Sequence, residues 1–271
     1  GEVPASAGGG RHLYERDGGY MDPVAAAEDL AQAATERGVR IQWGQQVIEV
    51  IQRGGCVTGL KTAAGDEFSS PLIVNAAGPW CGQLSSAAGL SLPWDLVPTR
   101  IQVLYLDRGP SLPGHIPVTA DMAGGIYFRT QNAGQQLVVG SVREEDEREA
   151  VPDPDHFQTT HDDEFGYVQL HMLAHRLPGL PTHGRVRGYC GLYTVNRDDV
   201  HPVLGPTELD GFWVANGFSG HGFKIAPAVG ALLADAIAGR LIDDPFSTSV
   251  PLETFGVSRE PITLQSRSVL A

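Results

Sequence analysis

Hydrophobic and polar positions change period along the chain, and each period marks an element. From Asp22 to Gly38 the apolar residues recur at helical spacing. Asp22 can cap the N-terminus, Pro23 suits the first helical position and Gly38 supplies the stop. Val39 to Trp43 reads as a short strand after that helix. Val47 to Gln52, the Gly54-Gly55 turn and Val57 to Thr62 read as a hairpin. Leu72 to Ala77 is apolar without alternation, the pattern of a strand covered on both faces. Gly78-Pro79 breaks it, and a short helix follows through Leu84 to Ala88. Further strands are predicted at Ile101 to Leu106, Gly125 to Arg129, Gln136 to Ser141, Arg185 to Thr194 and Phe212 to Ala215. A charged helix is predicted from His156 to Arg176 and a strongly apolar one from Phe223 to Gly239. The last 25 or so residues, with Pro251 and Pro261, read as a surface tail.

Composition narrows the function classes. The chain has 271 residues, 42% hydrophobic and 19% charged, so it can bury a substantial core and is neither disordered nor fibrous. A net charge of −13 argues against nucleic acid or an anionic membrane as the main partner. No apolar run approaches the roughly 20 residues of a membrane span, and no signal-peptide pattern opens the sequence. Cys56, Cys81 and Cys190 lie far apart, so neither a zinc cluster nor a disulfide framework is expected. Free thiols fit a cytoplasmic protein.

The chemistry concentrates where the strand Phe212 to Ala215 enters a glycine-rich turn and then a helix. Gly217, Gly220 and Gly222 remove side chains there, and the helix aims its N-terminal N–H groups at the same place. An electron-rich group is the expected occupant. Gly217-Phe-Ser-Gly-His221 is also a near miss to the G-x-S-x-G nucleophile elbow. His221 stands where the second glycine belongs, and no histidine follows it to complete a triad, so a hydrolase built on Ser219 ranks third behind the two readings below.

The segment Gly217-Phe-Ser-Gly-His-Gly-Phe-Lys224 resembles the flavin-binding turn of the D-amino-acid oxidase superfamily of FAD-dependent oxidoreductases, in particular its sarcosine oxidase and dimethylglycine dehydrogenase-like branch. Four other segments match in order: Gly18-Gly-Tyr-Met-Asp-Pro23, Val74-Asn-Ala-Ala-Gly-Pro-Trp80, Cys190-Gly-Leu-Tyr-Thr194 and Asp198-Asp-Val-His-Pro-Val-Leu-Gly205. The resemblance implies an α/β fold with an α+β part. An incomplete Rossmann-like FAD-binding domain (18–94 and 188–250) would accompany a substrate domain with a largely antiparallel sheet (95–187), followed by the tail at 251–271. It implies non-covalent FAD. Val47 would meet the adenine, and Ala76, Ala77, Gly78 and Trp80 would lie beside the cofactor. Gly191, Leu192, Gly217, Ser219, Gly220, His221, Gly222, Phe223 and Lys224 would wall the flavin ring. Lys224, Tyr193 and His221 would form the catalytic side, with Lys224 clamping the carboxylate of a small amino acid or N-methylated amine.

Three departures qualify the resemblance. The G-x-G pairs at 8/10 and 220/222 are followed three residues on by Leu13 and Ile225, so neither completes the G-x-G-x-x-G fingerprint of the pyrophosphate site. This implies part of a longer or split enzyme, with a separate chain as one source of that segment. The alternative is a flavin-less, non-catalytic subunit or assembly factor. Gly191 stands where some sarcosine oxidases carry a flavin-attaching cysteine. Val138 stands where oxidases of the branch carry a lysine, which leaves the electron acceptor open and tilts the reading towards a dehydrogenase. No metal is expected: His171 and His175 lie at i, i+4 on the predicted helix but lack an evident third ligand. The charge-dense run Arg143 to Glu149 reads as a solvated loop, and the four tryptophans read as core.

Overall fold

The computed structural model describes residues 13–181, 186–240, 245–246 and 248–263. The Gly8/Gly10 pair, the predicted strand start at Arg185 and the end of the tail lie outside them. The first half runs α1 (Pro23–Glu36), β1 (Val47–Arg53), β2 (Cys56–Thr62), β3 (Glu67–Ser69), β4 (Ile73–Asn75), α2 (Cys81–Ala87) and β5 (Leu96–Asp107). Then come β6 (Thr119–Asp121), β7 (Ile126–Gln131), β8 (Gln136–Ser141), α3 (Asp163–Arg176), β9 (Arg187–Asn196), β10 (Val203–Pro206), β11 (Phe212–Asn216) and α4 (Gly222–Ala238). No helix among the described residues is long and apolar enough to cross a membrane.

The chain divides into two compact units. One takes the described residues of Gly1–Leu30, Gln102–Asp146 and Gln158–Cys190; the other takes those of Ala31–Ile101, Glu147–Phe157 and Gly191–Ala271. In the first unit β6, β7 and β8 form antiparallel pairs within a sheet ordered β6-β7-β8-β5-β9. Strict alternation along β7 buries Ile126, Phe128 and Thr130 on one face. Leu104, Ile126 and Leu137 are fully buried there with Phe165 and Leu173 of α3.

The second unit holds two small sheets, β1-β2-β3 and β10-β11-β4. In the latter, β11 runs parallel to β4 and antiparallel to β10, and β4 is the end strand. Val50, Val57, Ile73, Trp94, Val203, Phe212 and Val214 share its core. The mixed α/β architecture and the antiparallel sheet agree with the sequence reading.

Several expectations need correction. Val39 to Trp43 forms no strand: among the described residues nothing pairs with it, and Trp43 is 81% exposed instead of buried. The charged helix starts at Asp163 and not His156. Asp162 is extended, bonded through its N–H to Gln102 Oε1 (2.8 Å), and the Cys190 N–H holds the Thr159 carbonyl (2.8 Å). The run 143–149 is tied down and not simply solvated. Arg143 pairs with Asp146, and Glu149 pairs with Arg100, whose side chain is buried. Residues 147–157 group with the second unit, because Arg100 and Val151 exchange backbone bonds with Glu149 and Pro98.

The tail is fastened over its first dozen residues. Trp94 Nε1 donates to the Val257 carbonyl (2.7 Å), and the Arg259 guanidinium lies 4.1 Å from the Trp94 ring centroid.

Candidate active site

The site begins where the two parallel strands stop. β4 and β11 align Ile73 with Phe212 and Asn75 with Val214, so their carboxyl ends lie side by side. Each apolar run closes on a fully buried asparagine, Asn75 and Asn216. The Asn216 side-chain amide donates to the Gly78 carbonyl (2.9 Å) and its oxygen accepts from the Gly217 N–H (2.7 Å). Asn75 donates to the Cys81 carbonyl (3.0 Å) and to Ser85 Oγ (3.1 Å), and accepts from the Ala77 N–H (3.2 Å). Ala76, Ala77 and Gly78 are thereby brought against the turn that starts at Gly217.

That turn is sharply wound. Gly217, Ser219 and Gly220 have φ of 72°, 47° and 80°. Ser219 is the costly member, since a side chain disfavours the left-handed region, and the surroundings hold it there. Its N–H donates to the Thr194 carbonyl (3.0 Å), and its hydroxyl donates to the Gly217 carbonyl (3.2 Å) and accepts from the Asn196 N–H (3.0 Å). With 1% exposure, Ser219 is a structural pin and not a nucleophile.

Behind the pin lies a buried charge. Asp199 accepts from both terminal nitrogens of Arg259, from the Ile262 and His201 N–H groups and from the Asn196 amide. Asn196 also donates to the His201 carbonyl (2.7 Å). Burial alone would raise the Asp199 pKa, but the bonds from Arg259, Ile262 and His201 hold it below the usual carboxylate value.

Helix α4 leaves the turn with His221 at its N-cap and no side chain closing its first N–H groups. Lys224 Nζ lies 3.0 Å from His221 Nδ1. Burial, then the charges of Lys224 and His201, lower the His221 pKa, and burial lowers that of Lys224. At neutral pH His221 is therefore a neutral imidazole accepting at Nδ1 from the ammonium, which puts its proton on Nε2.

Strand β9 passes through Gly191, Leu192 and Tyr193 before Thr194 meets Ser219. Around this turn, Gly191 and Gly78 have no packing reason to be glycine, a property they share with Gly19, Gly82, Gly114 and Gly230 elsewhere in the chain. A Cβ on Gly191 would meet nothing within 4 Å, and its φ is ordinary; a Cβ on Gly78 would also meet nothing, although its φ of 53° favours glycine. Bare backbone beside open space, near an uncapped 17-residue helix and the buried, unpartnered hydroxyl of Thr194, suits a flat electron-rich ring. The residues present fit a flavin.

Trp80, 38% exposed, donates from Nε1 to Asp155 Oδ1 (2.9 Å). Val47 stands apart, opening β1 in the other sheet of this unit. Sequence reasoning missed Asn75, Asn196, Asn216, Asp199 and Arg259. The signal for Asn75 and Asn216 was present: each ends an apolar strand, where an unpaired amide would be costly.

The sequence profile of the FAD-dependent oxidoreductase (D-amino-acid oxidase type) family matches residues 2–236. FAD-dependent oxidoreductase domain-containing protein 1 of Bos taurus is 35% identical over 250 residues, 81% of this chain and 50% of that protein. Peroxisomal sarcosine oxidase of Homo sapiens is 26% identical over 92% of this chain and 62% of its own length. Glycine oxidase of Pseudomonas aeruginosa is 30% identical over 70% of this chain and 48% of its own length. Among solved structures, L-proline dehydrogenase from P. horikoshii superposes with a TM-score of 0.75 at 24% identity, covering 89% of this chain and 61% of that one. The chain thus spans about half the length of the first of these relatives. By its profile match and these relatives, the chain belongs to the FAD-dependent oxidoreductase family of D-amino-acid oxidase type.

Proposed function

We propose that this chain supplies the flavin-ring and substrate walls of an FAD-dependent enzyme that oxidises the C–N bond of a small amino acid or N-methylated amine. The observation that carries the reading is the bare-backbone cradle at the carboxyl ends of β4 and β11, capped by the open N-terminus of α4. FAD, held non-covalently, supplies acceptance of a hydride from the carbon next to the nitrogen; the imine left behind hydrolyses in water. Relatives named for sarcosine and glycine oxidation support the substrate class.

The chain's own residues bind and orient. The Gly222, Phe223 and Lys224 N–H groups at the head of α4 favour negative charge on the electron-rich edge of the ring. Lys224 binds the substrate carboxylate, with neutral His221 holding its ammonium in place, and Tyr193 shapes the pocket. The desolvated ammonium forms a stronger ion pair than an exposed lysine would. The pyrophosphate half of FAD needs a G-x-G-x-x-G segment, which this sequence does not contain. We assign that half to further sequence of the same enzyme or to a separate chain.

Titration of the purified chain with FAD, followed by its visible absorption, tests the reading. Saturable binding with a shifted flavin band is expected once a polypeptide carrying the missing segment is added. Protein that stays colourless in every combination would favour the flavin-less subunit instead. In the assembled enzyme, Lys224→Ala should raise KM for carboxylated amines by roughly tenfold to hundredfold, the loss of a charge-assisted bond. Flavin content should hardly change, and an unaltered KM would remove the clamp.

A further inference from the structure

We propose that His171 and His175 form a two-imidazole chelate for a divalent transition-metal ion, with Zn²⁺ the best geometric match. The proposal uses nothing from the flavin site and stands or falls independently of it.

Helix α3 carries both residues. This 14-residue helix turns Phe165, Gly166, Gln169 and Leu173 into the core of its unit, and that packing fixes the helix and its rotation. Positions 171 and 175 then fall together on the outer face, one turn apart. Both histidines are exposed, so their ring nitrogens are open to an ion from solvent.

Their relative geometry is specific. The two Nε2 atoms hydrogen-bond to each other at 3.3 Å, a contact an ion would replace by taking both lone pairs; the ring centroids are 4.7 Å apart and the planes nearly perpendicular at 84°. Two nitrogens bound to one tetrahedral zinc at about 2.05 Å each are separated by about 3.3 Å. An octahedral ion at similar bond lengths would require about 2.9 Å between neighbouring ligands. The observed spacing therefore suits tetrahedral coordination.

Nearby charge does not oppose the site. Arg176, the adjacent residue, is engaged with the Asp121 carboxylate, which neutralises it locally. Among the described residues no group of three or more His, Cys, Asp or Glu side chains is placed to hold a metal. The chelate is thus bidentate, with two coordination positions left for water or for a small anionic or nitrogen ligand. This marks an exchangeable site, not a closed structural one.

The test is titration of the purified, tag-free chain with Zn²⁺ alone, by calorimetry and by competition against a chromophoric chelator. His171→Gln, His175→Gln and the double variant are measured alongside. Glutamine preserves helix propensity at these exposed positions, so circular dichroism should match the parent. The expected result is a site of one Zn²⁺ per chain, weakened roughly a hundredfold by either single change, because the second imidazole acts as an intramolecular ligand. Ca²⁺ and Mg²⁺, which prefer oxygen ligands, should not compete. Absence of a one-site isotherm in the parent, or its persistence in the double variant, would overturn the proposal.

Discussion

At the scale of single residues, two glycines that look alike in sequence do opposite work. Gly217 has φ of 72°, and a Cβ there would come within 2.8 Å of Leu96 Cδ2. Gly191 has ordinary φ and open space. Gly217→Ala should therefore destabilise the fold by about 1 kcal/mol or more, while Gly191→Ala should leave urea unfolding within about 0.5 kcal/mol of the parent and act on flavin binding. Equal destabilisation by both would contradict the cradle. The Asp199–Arg259 pair offers a second residue-scale test. Arg259→Met strands a buried carboxylate and should cost about 3–5 kcal/mol in chemical denaturation. Because the folded Asp199 pKa is depressed, its contribution is present above the unfolded value near about 4 and lost as pH falls below it. The stability gap between the parent and Asp199→Asn should narrow below about pH 4. A gap that stayed constant through that range would count against the assignment.

At the scale of elements, the helices differ in what holds them. In α1 the Asp22 carboxylate receives the Val24 (2.8 Å) and Ala25 (3.1 Å) N–H groups, as its sequence position predicts. Yet none of its 14 residues is buried. A helix of that length without packing is marginal. Hydrogen exchange should find α1 amides nearly unprotected and β7 and β8 among the slowest; slow exchange in α1 would mean that something covers it. Elements with a strong local signal, such as Asp22-Pro23 or the alternation of β7, were legible in the sequence. The three-residue strands β3, β4 and β6 were missed or over-extended, because so short a run carries no period. Val39 to Trp43 misled because β-propensity without a neighbour makes no ladder. At the site, the glycines and Lys224 were legible as a motif. The Asp199–Arg259 clamp was not, since its partners lie 60 residues apart.

At the scale of the whole molecule, the unit that holds β4, β10 and β11 is discontinuous. Its core strands come from both sides of the 102–146 and 158–190 segments of the other unit, and its clamp comes from the tail. The bond from Asn216 to Gly78 spans 138 residues of sequence. During synthesis β4 therefore leaves the ribosome long before β11 exists to pair with it. The intervening β7–β8 hairpin, by contrast, closes locally and early. The bond that brings Gly78 against the Gly217 turn cannot form until 138 further residues have been made. Until Asn216 and Arg259 have emerged, the apolar end strand beside Gly78 has to be sheltered by chaperones or left open to mispairing.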